Sequence, residues 1–108
     1  MRYALLRHNW NLPNGKQTII CDVTKEDDIR KAVEHVDAWG GVDVMFNNAG
    51  IMHARDDDAI GTPEEIWDLT QNINVKGVWF GSKHAILSLR KHKKSKGCLL
   101  YTSDAADE

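Results

Sequence analysis

Val42-Asp43-Val44-Met45-Phe46 runs into Asn47-Asn48-Ala49-Gly50, and Asn74 follows 27 positions after Asn47, inside Asn74-Val75-Lys76-Gly77. A short β-branched, apolar run ending in a polar turn closed by glycine is how a buried parallel strand delivers backbone and amide groups to its carboxyl end. Open α/β sheets bind their ligands at that end. Taken alone, a polar turn with glycine follows strands of many kinds. What gives this one weight is the company it keeps.

Upstream, Gln17 to Cys21 is β-favouring, and Asn14-Gly15 supplies a turn that ends whatever precedes it. Thr24 is expected to cap the next helix with its hydroxyl, while Glu26, Asp27 and Asp28 favour the positive end of the helix dipole. Ile29, Ala32, Val33 and Val36 repeat at helical spacing and predict one face pressed on a sheet. Trp39-Gly40-Gly41 ends that helix, since glycine takes the left-handed conformation a carboxyl cap requires. Strand, helix and strand within about 30 residues make a βαβ unit with a right-handed crossover.

Downstream, Ile51 to Gly61 has no period and carries Asp56, Asp57 and Asp58, so it reads as a solvated loop. Thr62-Pro63-Glu64-Glu65 predicts a helix start with a capping hydroxyl, proline at the first helical position and a capping-box glutamate. The helix is expected to run from Pro63 to about His92, ~45 Å if unbroken. Asn74, Gly77 and Gly81 share one side of it at spacings of three and four, and Ala85 and Ser88 continue the row. A row of small residues admits another backbone closely. Trp67 and Trp79 are expected to pack in the core or between helices, and His84 and His92 to lie on the surface.

The ordered set of Cys21-Asp22-Val23-Thr24, Gly41-Val42-Asp43, the Asn-Asn-Ala-Gly turn, Trp67, Asn74 and Gly77 resembles the short-chain dehydrogenase/reductase family over about residues 17 to 97. The resemblance implies an α/β fold: a partial Rossmann-type, doubly wound parallel sheet holding the family's third and fourth strands and its long helix. It implies an oxidoreductase using NAD or NADP on a small carbonyl or alcohol substrate. Asp22 and Val23 then match the positions that hold the adenine ring, and Asn47, Ala49 and Gly50 the turn that lines the adenosine ribose. Asn48 matches the residue that braces neighbouring strands. Asn74 matches the asparagine of the catalytic tetrad, which orders a water linking the catalytic lysine to solvent. In some family homodimers the long helix also meets its symmetry mate.

Both ends depart from the family pattern. Met1 to Leu12 contains no glycine, so no turn there brings bare amides against a pyrophosphate, and the residue that would choose NAD or NADP is missing with it. No Tyr-x-x-x-Lys occurs: Ala105 lies four residues after Tyr101 and Arg7 four after Tyr3. The segment Cys98 to Glu108, Cys-Leu-Leu-Tyr-Thr-Ser-Asp-Ala-Ala-Asp-Glu, resembles a translated sequencing adapter. It is therefore set apart as a non-native tail, leaving residues 1 to 97 as a partial NAD(P)-binding domain, and Ser103 is not taken for the catalytic serine. The chain reads as an internal fragment, inactive by itself. The alternative is a non-catalytic nucleotide-binding or interaction protein on the same fold, truncated by nature.

In the complete strand order, 3-2-1-4-5-6, the two strands present are separated by two that are not, a gap of roughly 14 Å. The expectation is that they pair directly in a non-family register, or that the fragment does not fold stably alone. The remaining features exclude more than they suggest. A formal net charge of −2 gives no reason to expect nucleic acid. No apolar run approaches the ~20 residues of a membrane span. The basic run Arg90 to Lys96 reads as a solvated helix end. Two cysteines, Cys21 and Cys98, without metal-ligand spacing suggest a reduced, cytoplasmic setting, with Cys21 packed as a small hydrophobe. His53 beside three consecutive aspartates is not expected to hold a metal, because neighbouring aspartates point in different directions.

Overall fold

The computed structural model describes residues 3–7 and 16–101. Strand β1 (Tyr3–Arg7) pairs antiparallel with β2 (Lys16–Ile20), Tyr3 opposite Ile20. Helix α1 (Glu26–Asp37) leads into β3 (Val44–Asn47). Helix α2 (Glu64–Gln71) passes through a π-helical turn, Asn72–Lys76, into α3 (Gly77–Lys91). Strand β4 (Cys98–Tyr101) pairs parallel with β3, Val44 opposite Cys98.

Two expectations about the sheet are corrected. Strands β2 and β3 do not pair; they belong to separate two-stranded sheets. A β1–β2 antiparallel pair also stands where only parallel strands were foreseen. The reason lies in the free edges: an unpaired row of N–H and C=O groups accepts whichever extended segment the chain brings alongside. Tyr3 to Arg7 meets that need for β2, and Cys98 to Tyr101 meets it for β3.

The helices hold the two halves together. Cys21, Ile29, Ala32 and Phe80 form one buried cluster, with Ile19 and Val23 against it. Val33, Val42 and Ala85 form a second, with Val36 and Met45. The apolar face foreseen on α1 thus meets α3. Burial on this scale is worth roughly 1.5–3 kcal/mol for each large side chain. The row on α3 is what makes it possible: Gly77, Gly81, Ala85 and Ser88 are all buried, and Ala85 is completely so.

Elsewhere the apolar surface is open. Val44 and Phe46 alternate with the helix-facing Met45 and Asn47, and are 58% and 53% exposed. Trp67 and Trp79, expected inside, are 57% and 56% exposed. The indole of Trp79 lies stacked on Phe80 with Lys83 over its face. Indole size argued for burial, but the described elements offer nothing to cover these faces.

The capping expectations also change. Thr24 does not cap α1: its hydroxyl donates to Asp22 Oδ1 (2.7 Å) and Lys25 holds the cap position without a side-chain bond. Thr62 is likewise spent in its own loop, accepting the Asp57 N–H (2.7 Å) and donating to Asp56 Oδ1 (3.3 Å). Pro63, extended at ψ 146°, takes the cap position itself, and its carbonyl accepts from Ile66 and Trp67. In both places a nearby aspartate competes successfully for the hydroxyl. Gly40 and Gly41 do adopt the left-handed conformation foreseen for them, φ +95° and +92°.

His84 and His92 are the other correction. His84 is buried, its Nε2 3.4 Å from Glu26 Oε2, and His92 Nε2 lies 2.9 Å from Asp37 Oδ1. The basic run is tied down too: Lys91 reaches Asp37 (2.9 Å), and Lys94 reaches Asp43 (2.6 Å) and the Gly41 carbonyl (3.3 Å). These partners lie more than 50 residues away in sequence, where no local spacing points to them.

Candidate functional site

The strand-end residues converge on one stretch of the long helix. A Cβ added at Gly77 would lie 3.1 Å from Val23 Cγ2, and one at Gly81 would overlap Asn47 Oδ1. Gly50 sits beside Asn74, whose Oδ1 would be 3.5 Å from an added Cβ. The Gly50-Ile51 turn at Asn74, Val23 at Gly77 and Asn47 at Gly81 therefore dock along one stretch of about 10 Å of helix.

Asn74 is the central tie. Its Oδ1 accepts the Ile51 N–H (2.8 Å) and its Nδ2 donates to the Ile51 carbonyl (2.8 Å). The amide thus imitates one rung of a strand ladder and fixes the chain as it leaves the Asn47–Gly50 turn. This explains an asparagine in mid-helix, where its propensity is poor. Asn74 also lies inside the π turn Asn72–Lys76, and single π turns recur inside α-helices at functional sites. Thr70 Oγ1 donates back to the Ile66 carbonyl (2.8 Å) just before this turn, an arrangement that bends helices.

The turn after β2 is equally determined. Asp22 Oδ1 accepts from the Thr24 N–H (2.9 Å) and hydroxyl (2.7 Å), and the Asp22 carbonyl accepts from Lys25 N–H (3.0 Å). The Asp22 N–H donates to Asp28 Oδ2 (2.9 Å). Asn47 Nδ2 faces Ser82 Oγ at 3.4 Å, and Ala49 is half-buried. Asn48 does not brace strands: it is exposed, and its N–H closes a tight turn on the Phe46 carbonyl (3.0 Å). The bracing role needs neighbouring strands on both sides, and among the described residues β3 is paired on one side only.

Sequence reasoning missed Ile51, Asp28 and Ser88. Ser88 Oγ accepts the Val42 N–H (3.0 Å) and donates to Asp37 Oδ1 (3.3 Å), tying β3's approach to both helices. Asp28 had a local signal, a carboxylate in the first helical turn six residues after Asp22 that also suits the helix dipole, and Ser88 had its place in the small-residue row, which marks a face but not a hydrogen bond.

Electrostatics favour ionised carboxylates here. The Thr24 hydroxyl and N–H hold the Asp22 pKa below its ordinary value. Burial opposes ionisation of Asp37, but Lys91, His92 and Ser88 outweigh it, so its pKa is also lowered. A depressed carboxylate contributes stability above its unfolded pKa, about 3.9, and loses it as pH falls through the lower folded value. Thermal midpoints should therefore be flat from neutral pH to about 5 and fall below about 4. The acid-limb slope should be shallower in Asp37→Asn; an unchanged slope would remove Asp37 from this account.

Among the described residues no group of three or more His, Cys, Asp or Glu is placed to hold a metal ion. Among them, too, no helix is long and apolar enough to cross a membrane.

The ends of β2 and β3 converging on one helix, with a glycine-closed turn there and a parallel β3–β4 pair beside it, place the chain among α/β proteins. A family model described as Enoyl-(Acyl carrier protein) reductase matches residues 9–108. The chain is 39% identical over 93 residues to Tropinone reductase-like 1 of Erythroxylum coca, covering 82% of this chain and 34% of that protein. It is 39% identical over 87 residues to (+)-borneol dehydrogenase 2 of Salvia officinalis, covering 80% and 30%. The crystal structure of an NADPH-dependent 3-quinuclidinone reductase from Rhodotorula rubra superposes with a TM-score of 0.68 at 22% identity, over 80% of this chain and 32% of that one. An NADH-dependent reductase, A1-R′, responsible for alginate metabolism, gives 0.67 at 28%, over 82% and 37%. The chain belongs to the short-chain dehydrogenase/reductase family. It spans about a third of the length of the relatives it matches.

Proposed function

We propose that this chain is an internal segment of an NAD(P)-dependent short-chain oxidoreductase acting on a small carbonyl or alcohol compound. The observation that carries the reading is the paired Asn74–Ile51 hydrogen bond, which holds the Asn47–Gly50 turn against the same helix that receives Asp22-Val23. The residues present fit the adenosine side of a dinucleotide. Asp22 offers an ionised acceptor, Val23 an apolar contact, and exposed Gly50 a backbone that a ribose can approach, beside Asn47 and Ala49. When bound, NAD or NADP supplies the hydride chemistry.

In the same proposal the parent is cytoplasmic and pairs through the exposed side of α3, and the division falls at residue 97. The apolar Cys98-Leu99-Leu100 then takes the slot beside β3 as any β-permissive segment would, without belonging to the parent sequence. The relatives' printed names, a tropinone reductase-like protein and a borneol dehydrogenase, support an alcohol or ketone as substrate.

Recovering the transcript through the Gly97 junction tests the reading. A serine followed by Tyr-x-x-x-Lys is expected there, and the full-length product should oxidise or reduce a nicotinamide cofactor. The 108-residue chain, lacking that pair, should show neither turnover nor a saturable thermal shift with NAD or NADP. A junction without Tyr-x-x-x-Lys would favour a non-catalytic nucleotide-binding or interaction protein instead.

A further inference from the structure

Asp28 has no part in the adenosine contacts set out above, yet it reaches back from the first turn of α1 to the end of β2. Its Oδ2 accepts the Asp22 N–H at 2.9 Å. With that bond the backbone and one carboxylate oxygen of Asp22 are engaged by its neighbours. The N–H is held by Asp28, the carbonyl by Lys25 N–H (3.0 Å), and Oδ1 by the Thr24 N–H and hydroxyl (2.9 and 2.7 Å). Val23, the next residue, is meanwhile lodged against Gly77.

We propose that Asp28 is a positioning residue for adenine recognition: it fixes the backbone of Asp22 so that Oδ2 of that carboxylate faces the exocyclic amine of the bound base. The inference rests on the proposed adenosine site. It adds a specificity device to that site. An ionised carboxylate is an acceptor only, so it meets the amine of adenine favourably and the carbonyl of hypoxanthine unfavourably. Discrimination of this kind depends on the acceptor being held in place. A loosely tethered Asp22 could rotate away from the carbonyl, at little cost to the wrong base.

Asp28 is suited to the task because it sits on a helix rather than in the turn. Its own N–H bonds to the Lys25 carbonyl (3.1 Å), and Ile29, next in the chain, is anchored in the core. The turn is thus referenced to packed structure, which makes a site rigid.

The test is made in the full-length oxidoreductase that carries this segment, by comparing KM for NAD(P) with KM for the hypoxanthine (deamino) cofactor. In D28A the KM for the adenine cofactor should rise about fivefold to tenfold, the range one lost hydrogen bond allows, with a much smaller change in kcat. The ratio of the two KM values should fall toward one. D28N keeps an oxygen that can accept the Asp22 N–H, so it should restore most of both effects. A purely structural role would lower stability without moving the ratio. If D22A raises KM and collapses the ratio while D28A does neither, or if D28N is as impaired as D28A, this inference is overturned and the adenosine site stands. If D22A itself changes neither quantity, the adenosine reading fails first. In the 108-residue chain, amide exchange at Asp22 should quicken in D28A and not in D28N; equal rates in all three would also overturn the proposal.

Discussion

Asn74→Ala is expected to destabilise the chain by about 2 kcal/mol, read from chemical unfolding. Two hydrogen bonds are lost at once, each worth roughly 0.5–1.5 kcal/mol net, and the Ile51 N–H and carbonyl are left with only partial access to water. Against this, alanine is the better helix former by about half a kcal/mol, which recovers a fraction of the loss. Asn74→Asp separates the two bonds. Aspartate can still accept the Ile51 N–H, but it cannot donate to the carbonyl and sets a charge against it. It should therefore be no more stable than the alanine variant near neutral pH and should improve on acidification. Equal stability of wild type and Asn74→Ala would show that the two bonds contribute nothing.

The second large effect belongs to the small-residue row. Gly81 faces Asn47 so closely that a Cβ would overlap Oδ1, whereas a Cβ at Gly77 would meet Val23 at 3.1 Å, a gap that small shifts can relieve. At Gly81 the obstacle is a side-chain amide whose bond to Ser82, at 3.4 Å, is weak. Alanine there can turn the amide aside, and the gain of roughly 1 kcal/mol in helix propensity offsets much of the strain. A β-branched residue cannot be accommodated so easily. Gly81→Val should cost about 2–4 kcal/mol, in the range of severe overpacking, and Gly81→Ala less than about 1. Gly77→Ala should be close to neutral. If Gly81→Val matched Gly81→Ala, β3 and α3 would not be in the contact described.

Local pattern located most elements because most of their determinants are local. The period of Ile29, Ala32, Val33 and Val36 marked the buried face of α1, and Gly40-Gly41 its end. The row from Asn74 to Ser88 marked the face of the long helix that others approach. What stayed hidden was competition between neighbours and contact at long range. Thr24 and Thr62 read as helix caps because their spacing is right, but Asp22, Asp56 and the Asp57 N–H engage their hydroxyls first. The π turn has no periodicity of its own, only an ill-placed asparagine. The burial of His84 and the partial burial of His92 go with Glu26 and Asp37, far away in sequence on α1. Strand pairing was the least legible, since a free edge accepts partners by proximity. The family resemblance described a sheet of which the described residues hold only part.

The most direct test of the central claim, that Asn74 clamps the chain leaving the Asn47–Gly50 turn, is hydrogen exchange at the single Ile51 amide. Its N–H lies in a loop segment, where neighbours without such a tie exchange freely. It should exchange at least about tenfold more slowly than those neighbours, and Asn74→Ala should abolish the difference. An Ile51 amide that exchanges as fast as its neighbours in the unaltered chain would contradict the account.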